Sequence, residues 1–157
     1  MSNSSSVPEF EIASELAAQI RTVLSRLKRR LREQGGRDDL TPSQVSVILR
    51  LEKDGAATVS DLARAEGMRP QSMSTIVTSL QDAGLVSGIP DSNDGRKTLM
   101  SLSKECEKLL KEGRAARQDW LTSVILQKLS SQEQQQLSAT IELLSRLTEE
   151  GGNTPKG

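Results

Sequence analysis

Gly67 and Pro70 are separated only by Met68 and Arg69, and this interval constrains the fold more than any other feature of the chain. Upstream, Leu62 and Ala63 belong to a short helical segment that Ser60 can cap and Gly67 ends. Downstream, Pro70 fits a first helical position, and Met73, Ile76, Val77 and Leu80 form a buried stripe at helical spacing as far as Ala83-Gly84. The period then changes. Leu85–Ile89 and Thr98–Leu102 read as strands, and Pro90-Asp91-Ser92-Asn93-Asp94-Gly95 between them is turn chemistry throughout. Two short helices, a tight turn and a hairpin with a polar tip therefore follow one another without a break.

The flanking segments are helical. Thr41-Pro42-Ser43-Gln44 is a helix start, with Thr41 as cap, Pro42 at the first position and Gln44 closing a capping box. Val45, Ile48, Leu49 and Leu51 supply its apolar face, Gly55 ends it, and Thr58-Val59 can form a very short strand. Before it, Ile12, Leu16, Ile20, Val23, Leu27 and Leu31 mark one face of a helix that runs from Glu9 to about Gly35-Gly36. The opposite face carries Arg21, Arg26, Lys28, Arg29 and Arg32. After the hairpin, Ser103 can cap a long helix with Leu109, Leu110, Ala116, Trp120, Val124 and Ile125 as apolar positions. Ser130-Ser131-Gln132-Glu133 is a second capping box, and its helix, marked by Leu137, Ile141 and Leu144, gives out before Gly151-Gly152.

The fold class is mainly α with a small β wing: a winged helix-turn-helix lobe at 41–102 plus long dimerisation helices at 9–34 and 103–149. Residues 1–8 read as a disordered leader, 9–149 as one domain and 150–157 as a flexible tail. Apolar residues are 34% of the chain, low for a compact monomer, so part of the core is expected from a second copy. The first and last helices each carry a narrow apolar stripe that would face it.

Composition removes several function classes. With no histidine and one cysteine, the usual zinc sites and histidine-dependent nucleophile arrangements are unavailable, and the reading is non-enzymatic, without cofactor or metal. Phe10 and Trp120 are the whole aromatic complement, too few for a single-strand stacking platform. The lone thiol suits a reducing cytoplasm, and no signal peptide or membrane span is legible.

In a winged helix-turn-helix the second helix enters the major groove and the hairpin tip reaches the flanking backbone or minor groove. Opposite the core stripe, that helix bears Gln71, Ser72, Ser74, Thr75, Thr78 and Ser79, preceded by Arg69. A merely solvated helix face favours Lys and Glu over the poor helix formers Ser and Thr, so this row reads as a contact surface for base edges and phosphates.

The runs Val59-Ser60-Asp61-Leu62-Ala63, Met68-Arg69-Pro70-Gln71-Ser72-Met73 and Leu80-Gln81-Asp82-Ala83-Gly84-Leu85-Val86 resemble the DNA-binding core of the multiple-antibiotic-resistance regulator (MarR) family. The wing Pro90-Asp91-Ser92-Asn93-Asp94-Gly95-Arg96-Lys97, followed by Leu99, Leu102 and Ser103, is similar to that family's signature. The resemblance implies a homodimer built on the first, fifth and sixth helices, with one lobe per subunit offered to double-stranded DNA. It implies that Arg96 inserts at the minor groove or its phosphates, that Asp94 orients it by a charge-assisted pair, and that Lys97 accompanies it. A transcriptional regulator, more often a repressor, acting on a pseudo-palindromic operator follows, with a small-molecule effector as a further partner.

The chain departs from the family in one respect. Where many relatives carry a basic residue after the Gly-Leu-Val step, it has Ser87 and Gly88. Residues 60–104 hold five basic and five acidic side chains, so the lobe has no net positive charge. The rival reading is a winged-helix module that binds a protein through the same face. Cys106 reads as a buried small residue, Trp120 and Phe10 as core or dimer packing, and Gly113 either as a point of close helix contact or as a weak point in its helix.

Overall fold

The computed structural model describes residues 6–36 and 39–151. The elements run α1 (Ser6–Gln34), α2 (Pro42–Asp54), α3 (Val59–Ala65), α4 (Pro70–Asp82), β1 (Val86–Pro90), β2 (Thr98–Leu102), α5 (Lys104–Lys128) and α6 (Ser131–Arg146). The chain separates into two compact units, residues 1–117 and 118–157. Among the described residues no helix is long and apolar enough to cross a membrane.

The first unit holds the winged lobe. Its core is aliphatic: Val47, Ile48 and Leu51 of α2, Leu62 and Ala63 of α3, and Met73, Val77 and Leu80 of α4 close over Leu85, Val86, Met100 and Cys106. Burying each large side chain contributes about 1.5–3 kcal/mol, so this cluster is the main support of the lobe. Cys106 is buried, as its sequence context suggests.

The turn between α3 and α4 has a specific cause. Gly67 takes φ 63°, a left-handed conformation that glycine adopts without a Cβ clash. The Met68 N–H then reaches back to Ala63 O at 2.8 Å and the Gly67 N–H to Arg64 O at 3.2 Å, which satisfies the last carbonyls of α3. Pro70 starts the next helix at once, since its missing N–H would have had no partner there.

Several boundaries differ from expectation. α1 begins at Ser6 rather than Glu9, because Pro8 falls in the first turn, where no intrahelical donor is required. Residues 1–5 of the expected leader and 152–157 of the expected tail lie outside the described residues. Thr58, not Ser60, caps α3: its backbone is extended and its hydroxyl accepts from the Asp61 N–H at 3.1 Å. The short strand expected at Thr58-Val59 reduces to one bridge, Ala57 to Met100, because Val59 already belongs to α3. On α2 the buried stripe is Val47, Ile48 and Leu51, while Val45 and Leu49 are exposed. On α4, Ile76 is only partly buried. Leu85 is not in β1, since its N–H closes the end of α4 on Leu80 O at 3.0 Å. The hairpin pairs antiparallel from Val86–Leu102 to Pro90–Thr98.

Beyond the burial of Cys106 in the core, two polar contacts tie α5 to what precedes it. Arg114 pairs with Glu52 of α2, with Nη1 to Oε2 at 2.9 Å. Arg117 Nη1 donates to Gly35 O at 2.7 Å, at the end of α1, where Gly35 packs directly on the buried Gly113. Gly113 is thus a point of close contact. In the second unit, Ser130 caps α6, its hydroxyl accepting from the Glu133 N–H at 3.1 Å while Glu133 Oε1 accepts from the Ser130 N–H at 3.0 Å. Trp120 is half-buried.

Candidate nucleic-acid interface

α4 presents its stripe of Met73, Val77 and Leu80 to the core and leaves Gln71, Ser72, Ser74, Thr75 and Thr78 exposed. Arg69, at the N-cap position, is exposed and contributes no side-chain cap to the helix. No N-cap side chain therefore covers the start of α4, the end of a helix that carries positive partial charge and suits phosphate. Thr75 Oγ1 donates to Gln71 O at 3.1 Å, which leaves its lone pairs and methyl group for contact. Ser79 is placed differently: half-buried, its hydroxyl accepts from Gln44 Nε2 at 2.9 Å and donates to Ile76 O at 2.6 Å.

The wing tip is built from its own carboxylates. Asp91 Oδ1 accepts from the Asn93 N–H at 3.0 Å and Asp94 Oδ1 from the Arg96 N–H at 3.1 Å. These are the side-chain turns that Asp favours. Two main-chain bonds, Asp91 N–H to Lys97 O at 2.8 Å and Lys97 N–H to Asp94 O at 3.0 Å, complete the loop. Asp94 thus also holds the backbone of Arg96, through one oxygen of its carboxylate. Arg96 and Lys97 are both exposed.

A polar link absent from the sequence reading fixes the turn before α4. Glu66, at the end of α3, accepts from Arg50 Nε at 2.8 Å and from Ser46 Oγ at 3.0 Å. Sequence spacing gave no signal for it, since Ser46 and Arg50 lie one helix away. The Arg50 hydrogen bond, aided by that of Ser46 and opposed by partial burial, holds the Glu66 carboxyl below its ordinary pKa. A carboxyl depressed in the folded state stabilises the fold fully above its unfolded value, ~4.3, and loses that contribution as pH falls through the folded value. Glu66→Gln should therefore lower stability by about 1 kcal/mol at neutral pH. The gap to wild type should close below the carboxylate range, as read from urea midpoints across pH; a constant gap would assign the loss to packing.

Residues 38–97 match the MarR family. A helix-turn-helix transcriptional regulator of Mycobacterium bovis is 35% identical over 137 residues, covering 87% of this chain and 95% of the relative. A Pseudomonas aeruginosa protein solved as a candidate transcriptional regulator superposes with a TM-score of 0.73 at 33% identity, over 87% of this chain and 96% of that one. An S. aureus MepR variant solved with a bound oligodeoxyribonucleotide shares the fold, with a TM-score of 0.68 at 21% identity over 84% of this chain and 97% of that one. This chain belongs to the MarR family of winged helix-turn-helix transcriptional regulators.

Proposed function

We propose that the chain represses transcription as a homodimer bound to a pseudo-palindromic DNA site, and that a small-molecule effector releases it. The observation that carries this reading is the joint exposure of the hydroxyl and amide face of α4 and of Arg96 and Lys97 on the adjoining wing. A helix face of short hydrogen-bonding groups reads base edges, and a flanking cationic loop engages the backbone. The homodimer is supported by α1, where Ile12, Leu16 and Val23 are 61%, 51% and 59% exposed along one stripe. Such a stripe in water marks an interaction surface. Two copies about a two-fold axis would present two α4 helices to two half-sites, which is why the site should be palindromic. Effector release would then act by changing the spacing of those helices.

Selection of bound duplexes from a random pool tests the proposal. Wild type should enrich an inverted repeat with half-sites about 10 bp apart or a multiple of that. Gln71→Ala should relax one position per half-site, costing about 1–3 kcal/mol against the preferred base. Enrichment of a single unrepeated element would overturn the two-fold reading, and equal losses on selected and random DNA would reduce Gln71 to a backbone contact.

A further inference from the structure

Gln44 uses both ends of its side chain. Oε1 accepts from the Thr41 N–H at 2.8 Å and completes the capping box of α2, while Nε2 donates to Ser79 Oγ at 2.9 Å. Ser79 passes its own proton on to Ile76 O at 2.6 Å. The orientation of the amide follows from chemistry, because a backbone N–H can only donate, so the oxygen must face Thr41 and the NH2 must face Ser79. A chain of directional bonds therefore runs from the first turn of α2, where the connection from α1 ends, into the backbone of α4.

We propose that Gln44 is a positioning residue for α4, and that Ser79 serves recognition as its internal anchor rather than as a DNA contact. This rests on α4 being the recognition helix. Other directional bonds hold only the two ends of α4, the Glu66 network before it and Ser103 Oγ donating to Gly84 O at 2.7 Å after it; along its length the support is the aliphatic stripe of Met73, Val77 and Leu80, whose apolar packing is non-directional. A side-chain tip ~5–6 Å from the helix axis moves about 1 Å for a rotation of ~10°. That displacement is enough to spoil a two-bond contact to a base edge, whose donor–acceptor distances span only a few tenths of an ångström. The Gln44–Ser79 bond engages α4 at a half-buried position beside the aliphatic stripe and so opposes such a rotation. It also accounts for a glutamine at a position where the capping box alone would accept a glutamate.

The test uses five full-length proteins: wild type, Gln44→Met, Ser79→Ala, the double variant, and Thr41→Ala as a control that removes the cap hydroxyl but keeps the Gln44–Ser79 bond. Affinity is measured for the duplex selected by wild type and for a random duplex, each at several salt concentrations. Gln44→Met, Ser79→Ala and the double variant should each lower the ratio of selected to random affinity by a similar factor, about threefold to tenfold. Random-duplex affinity and its salt dependence should not move, and Thr41→Ala should keep the wild-type ratio at temperatures where all five are folded. Additive losses, or a Ser79→Ala loss on both duplexes with a shallower salt slope, would make Ser79 a direct DNA contact and overturn the proposal. A ratio unchanged in every variant would reduce the pair to a structural bond and overturn it equally. If wild type itself fails to distinguish any duplex, the recognition-helix reading falls and this inference with it. Discrimination by wild type without coupling between the two residues sinks this inference alone.

Discussion

Replacing Arg96 with alanine should weaken binding to the selected DNA site about a hundredfold at moderate salt. In the proposed homodimer each subunit would lose one charge-assisted contact worth at least ~1.5 kcal/mol, and two such losses come to about 3 kcal/mol. The salt slope should fall by about one unit for each phosphate contact removed. The loop explains why so large an effect on binding should leave the fold alone. The backbone at the tip is held by Asp91 and Asp94, whose carboxylates accept from the N–H groups of Asn93 and Arg96. The exposed Arg96 side chain is no part of that scaffold. Melting should accordingly shift by less than about 0.5 kcal/mol. Asp94→Ala should do the reverse in part, loosening the turn and costing less affinity, because the guanidinium survives. Titrations of the three proteins at several salt concentrations decide the matter. Unchanged affinity and slope for Arg96→Ala would mean that the wing does not touch DNA, and the protein-binding reading of this lobe would then be preferred.

Two glycines in contact should respond to alanine in opposite directions. A Cβ on Gly35 would lie 2.6 Å from Gly113 O and 3.0 Å from Gly113 Cα, both backbone atoms of α5, and 3.2 Å from Ala116 Cβ. Neither backbone atom can swing aside, so the end of α1 must separate from α5 and strain the Arg117 bond to Gly35 O. Gly35→Ala should cost about 1–3 kcal/mol, as overpacking in a tight contact does. A Cβ on Gly113 would meet Gly35 only at 3.6 Å, which is ordinary contact. Gly113 lies within α5, where alanine is favoured over glycine by about 1 kcal/mol, so Gly113→Ala should be neutral or stabilising. Gly95→Ala, in open space on the wing, is the control expected to change nothing. Chemical unfolding of the three variants reads this out, and equal losses at Gly35 and Gly113 would refute the asymmetry.

The elements that local chemistry dictates were legible in the chain. Thr41 and Gln44, Ser130 and Glu133, Pro70, and the Gly67 and Gly84 stops act within a few residues of themselves, and the structure has each where its side chain or φ angle demands. The turn residues from Asp91 to Gly95 likewise announced the hairpin, and the family was legible only through the resemblance carried by the runs at 59–63, 68–73 and 80–86 and by the wing.

What the sequence could not decide was which of several equivalent residues faces inward, and what the polar ones do there. Val45 and Leu49 are as apolar as Val47 and Leu51, and only the packing of α2 into the lobe core buries one pair and exposes the other. Ser79 looks like Ser72 and Thr75 in a linear reading, yet Gln44, 35 positions away, engages its hydroxyl. Glu66 could be any exposed acid until α2 brings Arg50 and Ser46 against it. Gly35 and Gly113 are ordinary glycines until two backbones meet. Caps and turns are governed by interactions a few residues long, which the linear order contains. A hydrogen bond or a backbone contact between separate helices depends on how those helices pack, and only the tertiary structure supplies that.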